Sequence, residues 1–124
     1  MVTLDRPTAT PRAVKHALEA LNRPAALGAN PLAQLPVLTP GNPAELRGLL
    51  VDVIVELADS RSPREAESGR LLFDYYIRRV GSHELIAERL HLSRPTYFRR
   101  LQHGYRLVAL LLNGLSDFAL WFRL

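Results

Sequence analysis

The chain has no cysteine among its 124 residues, which excludes a disulfide framework, a thiolate zinc site and a cysteine nucleophile. Its seven glycines are scattered, so no Gly-rich loop is present to cradle a phosphate. The four histidines, His16, His83, His91 and His103, stand at none of the spacings that ligate a metal, and no serine, histidine and aspartate pattern marks a nucleophile. No metal, no cofactor and no catalytic residue is expected, and the chain reads as a non-enzyme. Long apolar runs are missing too: residues 107–124 are rich in leucine, but Asn113, Ser116, Asp117 and Arg123 interrupt them. A membrane span needs about 20 mostly apolar residues, so none is expected. The opening MVTLDRPTATPR lacks the apolar segment of a secretion signal, which points to a cytoplasmic home.

Period-two alternation is also absent, so no strand is expected. What is present is helix punctuation. Thr10-Pro11, Asn30-Pro31, Asn42-Pro43 and Ser62-Pro63 each place a capping acceptor before a proline that suits the first helical position. Glu45 and Glu65 complete capping boxes with Asn42 and Ser62. Helices are expected at about 11–21, 43–59, 63–79, 83–90, 94–112 and 115–122, and the proline-rich stretch 22–41 as short turns packed along a surface. On the helix at 43–59, Leu46, Leu49, Leu50, Val53, Ile54 and Leu57 form the apolar stripe. Asp52, Glu56 and Asp59 lie opposite as a solvated face. The expected fold is all-α, a multi-helix domain containing a helix-turn-helix. Residues 1–60 form an N-terminal helical segment with its linker, 61–112 the helix-turn-helix domain, and 113–124 an apolar C-terminal helix.

Charge is uneven along the chain. Residues 1–60 carry a net charge of −1 and residues 61–124 a net charge of +5, and from Arg89 to Arg106 there are five arginines and no acid. Arginine stripes of this kind neutralise phosphates and supply most non-specific DNA affinity. Four of the five fall on SHELIAERLHLSRPTYFRRL, a short amphipathic helix, a turn at His91-Leu92-Ser93 and a second helix capped by Ser93. Ala87, Leu90, Leu92, Tyr97 and Leu101 are placed to pack the two helices together, with Arg94, Phe98, Arg99, Gln102 and His103 outward. The turn needs a residue at positive φ, and His91 occupies that place at a cost of roughly 1 kcal/mol.

Residues 71–112 resemble the DNA-reading C-terminal region, region 4, of sigma factors and related bacterial regulators. The resemblance rests on Tyr76, Ser82, Glu84, Ile86, Ala87, Glu88, Arg89, Leu90, Leu92, Ser93, Arg94, Thr96, Tyr97, Arg99, Arg100, Leu101 and Leu107, and covers about a third of the chain. It implies a sequence-specific DNA-binding protein that regulates or initiates transcription, with double-stranded DNA as partner. On that reading Ser93, Arg94, Thr96, Phe98, Arg99 and Gln102 contact base edges, and Arg78, Arg79, Ser82, His83, Arg100 and His103 contact phosphates.

A second reading makes the chain a protein-interaction subunit of a larger nucleoprotein complex, with the helix-turn-helix kept as scaffold. Its basis is the run VALLLNGLSDFALWFRL, too apolar for one face of one helix to bury. Leu111, Leu115, Phe118, Trp121 and Phe122 are the expected contacts with a second copy or another protein.

Overall fold

The structure is a computed structural model that describes residues 8–122, with side chains through residue 119. It is all-helical, with no strand among the described residues. Helix α1 spans Pro11–Glu19, α2 Pro24–Gly28, α3 Pro43–Ala58, α4 Pro63–Leu72, α5 His83–Arg89 and α6 Arg94–Phe122. A 3-10 turn at Pro31–Gln34 follows α2, and a π-helical turn at Phe73–Ile77 extends α4.

The caps act where the cap–proline pairs stand. Side-chain oxygens of Thr10, Asn30, Asn42 and Ser62 accept from the backbone N–H groups of Ala13, Leu32, Glu45 and Glu65. Each thereby satisfies a donor that the first helical turn leaves without an intrahelical partner. The reciprocal half of each capping box is replaced. Glu45 Oε1 accepts from the Thr39 N–H at 2.8 Å and Glu65 Oε1 from the Ser60 hydroxyl at 2.9 Å, so both carboxylates tie the preceding loop to the helix start.

One apolar core runs from Ala9 to Leu112 and draws on every helix. It crosses position 60 without a break: Val14, Ala17 and Leu18 of α1 join Leu46, Leu50 and Ile54 of α3, Leu71 and Leu72 of α4, and Tyr105, Val108 and Leu112 of α6. Helices α4 and α6 approach closely because a Cβ on Gly104 would lie 3.0 Å from Leu72 Cδ1, and the buried Ser68 hydroxyl donates to the Arg100 carbonyl at 3.0 Å. Tyr76 and Tyr105 meet through their hydroxyls at 2.5 Å, joining the π-helical turn to α6. Burial is the main cause that pushes the Tyr105 phenol up to about 12.

Two elements differ from expectation. The helix expected at 63–79 gives way at Phe73 to the wider turn, where the Arg78 N–H donates to the Phe73 carbonyl five residues back, and Arg79 closes the element at φ 54°. The two helices expected at 94–112 and 115–122 are one, because α6 passes through Asn113-Gly114 unbroken. The cause is tertiary. Asn113 Oδ1 accepts from the Ala9 N–H at 2.6 Å, and its Nδ2 donates to the Ala9 carbonyl at 3.0 Å. Both ends of the amide are engaged across the fold, so the side chain does not compete for its own backbone.

Candidate functional site

Helix α5 starts at the Ser82 cap, whose Oγ accepts from the Leu85 N–H. It ends in a turn where the Leu92 N–H donates to the Ala87 carbonyl at 2.9 Å and the His91 N–H to the Glu88 carbonyl at 3.1 Å. His91 has φ 57°, the left-handed conformation expected for it. This pair of bonds is the Schellman arrangement, which satisfies the last carbonyls of a helix and turns the chain out of its axis. Ser93 then opens α6: its carbonyl accepts from the Tyr97 N–H at 2.8 Å and its Oγ from the Thr96 N–H at 3.4 Å.

The two helices are held by aromatic packing. Tyr97 is fully buried and Ile86, Ala87 and Leu101 are buried with it. His83, at the start of α5, stacks on Tyr75 with ring centroids 3.7 Å apart, and its Nδ1 lies 2.7 Å from Tyr97 Oη. Burial raises the Tyr97 phenol, so its hydroxyl stays protonated and can donate to a neutral imidazole. Burial is also the main cause that lowers His83, helped by Lys15 and Arg94 and opposed by Glu84. Burial thus disfavours the charged ring.

The sign follows directly. A histidine with a depressed native pKa contributes stability above its ordinary value of 6.5 and loses it as pH falls below. Melting temperature is therefore expected to drop between pH 7 and pH 5 in thermal scans, and His83→Gln should flatten that part of the profile. Parallel profiles for the two proteins would contradict the assignment.

The expected site residues divide into groups. Thr96, Phe98, Arg99, Arg100, Gln102 and His103 line one open depression on the first half of α6, together with Pro95, Arg64 and Arg106. No acidic side chain lines it. Arg99 and Gln102 are exposed, and Arg99 Nη2 donates to Thr96 Oγ1 at 3.1 Å. Arg94 stands beside the depression, paired with Glu84 at 3.0 Å and lying over the Phe98 ring at 5.3 Å.

Several of the expected contacts, Phe98 and Arg100 of the lining among them, are engaged within the fold. Phe98 is half-buried, edge-on to Tyr97 and His83, and packs against the core where exposure was expected. His83 is held in its stack and disfavours charge, so it is not the free cation that a phosphate attracts. The Arg100 Nε pairs with Glu67 Oε1 at 2.5 Å, which neutralises it locally. Ser82 and Ser93 spend their hydroxyls as caps. Arg78 is exposed beside Asp74 at 3.8 Å. Arg79 lines a separate cavity of α1 and the π-helical turn, with Glu19, Arg23, Tyr75 and Tyr76, away from the depression.

The expected base and phosphate contacts left out Arg64, and left out Arg106 although it belongs to the arginine stripe. Arg106 is four residues beyond Gln102 and seven beyond Arg99, so helical spacing alone places it on their face. Arg64 arrives only through the packing of α4 on α6. At the far end of α6, Leu111, Leu115 and Phe118 are exposed as expected, and Leu110 with them. The expected contacts Trp121 and Phe122 lie outside the residues whose side chains are described. Among the described residues no group of histidine and carboxylate side chains is placed to hold a metal, and no helix is long and apolar enough to cross a membrane. Comparison with family models, curated proteins and solved structures finds no match to this chain.

Proposed function

We propose that this chain binds double-stranded DNA through a helix-turn-helix formed by α5, the His91 turn and α6, and that it acts in transcription regulation. The observation that supports this reading is the acid-free depression on α6, where Arg64, Arg99 and Arg106 surround Thr96 and Gln102. A helix tip carrying planar guanidinium donors and an amide suits base edges in a major groove, and flanking arginines suit phosphates.

Fluorescence anisotropy with duplexes selected from a random pool, repeated across a salt series, tests the reading. Arg99→Ala should cost roughly 1 to 3 kcal/mol on the selected duplex and relax its preference. Arg64→Ala and Arg106→Ala should weaken all duplexes alike and reduce the log–log salt slope by about one each. Equal, sequence-blind losses from all three variants would remove the direct-readout role of Arg99. No binding at low salt would overturn DNA binding altogether and leave the interaction-subunit reading, which the exposed leucines at the end of α6 favour.

A further inference from the structure

A cavity of about 500 Å3 opens between the end of α1 and the turn that follows the π-helical segment, within the size range of small-molecule sites. Its floor is apolar, made by the buried Leu18, Leu21 and Tyr76, and its wall carries the exposed Glu19, Asn22, Arg23 and Arg79. Among the described residues no ion pair engages Glu19 or either arginine. Arg23 Nη2 donates to the Glu19 backbone carbonyl at 3.3 Å, which leaves its other donors, and those of Arg79, for a ligand. The backbone is unusual here in two places. Arg79 holds φ 54°, and the π-helical turn widens the helix that carries Tyr75 and Tyr76. Left-handed residues other than glycine and π-helical turns both concentrate at functional sites.

We propose that this cavity binds a sugar phosphate. A phosphate monoester is close to doubly charged at neutral pH, and two guanidiniums on one concave wall offer it planar pairs of N–H donors. Asn22 adds to them: its Oδ1 accepts from Arg47 at 3.3 Å, which leaves the amide N–H groups for the same phosphate. Glu19 argues against a bare anion. Its carboxylate repels one, but accepts hydrogen bonds from a ligand whose other end carries hydroxyls. The apolar floor suits the C–H face of a sugar ring, with Tyr75 at its edge. The cavity lies away from the arginine-lined depression of α6, and the proposal does not rest on DNA binding.

Amide NMR titration of the whole chain with glucose 6-phosphate, inorganic phosphate and glucose tests it. Glucose 6-phosphate should move the signals of residues 19–23 and 79–81 together and to saturation, at least tenfold tighter than inorganic phosphate, and glucose should not saturate them. Arg23→Ala should weaken binding at least tenfold. Arg79→Gly should do the same while folding as well as the parent, because glycine suits the left-handed φ. Glu19→Ala should bring glucose 6-phosphate and inorganic phosphate to equal affinity. Arg78→Ala, next along the chain but outside the cavity wall, should change binding less than twofold. No saturable shift at millimolar glucose 6-phosphate overturns the proposal. So does binding that survives both Arg23→Ala and Arg79→Gly, inorganic phosphate binding as tightly to the parent, or duplex DNA moving these signals where glucose 6-phosphate does not.

Discussion

Gly69→Ala is expected to cost this protein about 3 kcal/mol of folding stability, against the usual direction of that change. In an open helix position alanine is favoured over glycine by roughly 0.5 to 1 kcal/mol. Gly69 is buried in α4, and a Cβ there would lie 2.4 Å from Ala58 N, 2.7 Å from Leu57 C and 2.8 Å from Ala58 Cα. All three are backbone atoms, so no rotamer change relieves the contact. The end of α3 must move away from α4, and Leu57 and Leu71, both buried, lose their close packing. Overpacking of this kind costs about 1 to 3 kcal/mol or more, and rigid backbone puts the site at the upper end. Gly48→Ala is the matched control, since its Cβ would meet nothing within 4 Å; it should gain roughly 0.5 kcal/mol. Urea unfolding of the three proteins decides it, and a Gly69→Ala midpoint at or above the parent's would contradict the packing account.

Tyr97→Ala should be at least as damaging, with a loss of about 3 to 5 kcal/mol by analogy with other buried aromatic truncations. The ring is fully buried between α5 and the π-helical turn, edge-on to Phe98 and His83. Tyr97→Phe separates packing from hydrogen bonding. It keeps the ring and removes only the hydroxyl that faces His83 Nδ1, at a cost of about 1 kcal/mol. Amide hydrogen exchange should locate the effect of Tyr97→Phe in α5, because that helix makes few other contacts with α6. Equal losses from both variants would mean that the hydroxyl, not the ring, secures α5.

Much of this architecture is legible because it follows local rules. The four cap–proline pairs mark helix or turn starts through the chemistry of a single turn. The positive φ of His91 follows from the spacing between two amphipathic segments, and the inward set of Tyr97 and Leu101 from helical periodicity. The features that escaped depend on distant residues. Asn113-Gly114 reads locally as a break, and α6 continues because Asn113 is bonded to Ala9, 104 positions away. Arg100 reads as a free cation, and Glu67 of α4 claims it. Phe98 reads as exposed, and His83 and Arg94 cover its ring. The π-helical turn at Phe73–Ile77 has no sequence signature of its own, since it differs from an α-helix by one residue per turn.

The continuity of α6 has a mechanical consequence. Pro95 in its first turn is the only proline between Arg94 and Phe122, so the helix contains no hinge. At 1.5 Å per residue, its 29 residues make a rod about 43 Å long, with Arg99 about 22 Å from Gly114. A tilt of about 6° pivoting at Gly114 swings the Arg99 backbone by about 2 Å, well beyond the distance tolerance of a hydrogen bond. Tyr97, Leu101, Tyr105, Val108 and Leu112 of the same helix are buried in the core, so such a tilt would have to repack that core, and the two ends of α6 are held at a fixed separation by the body of the fold.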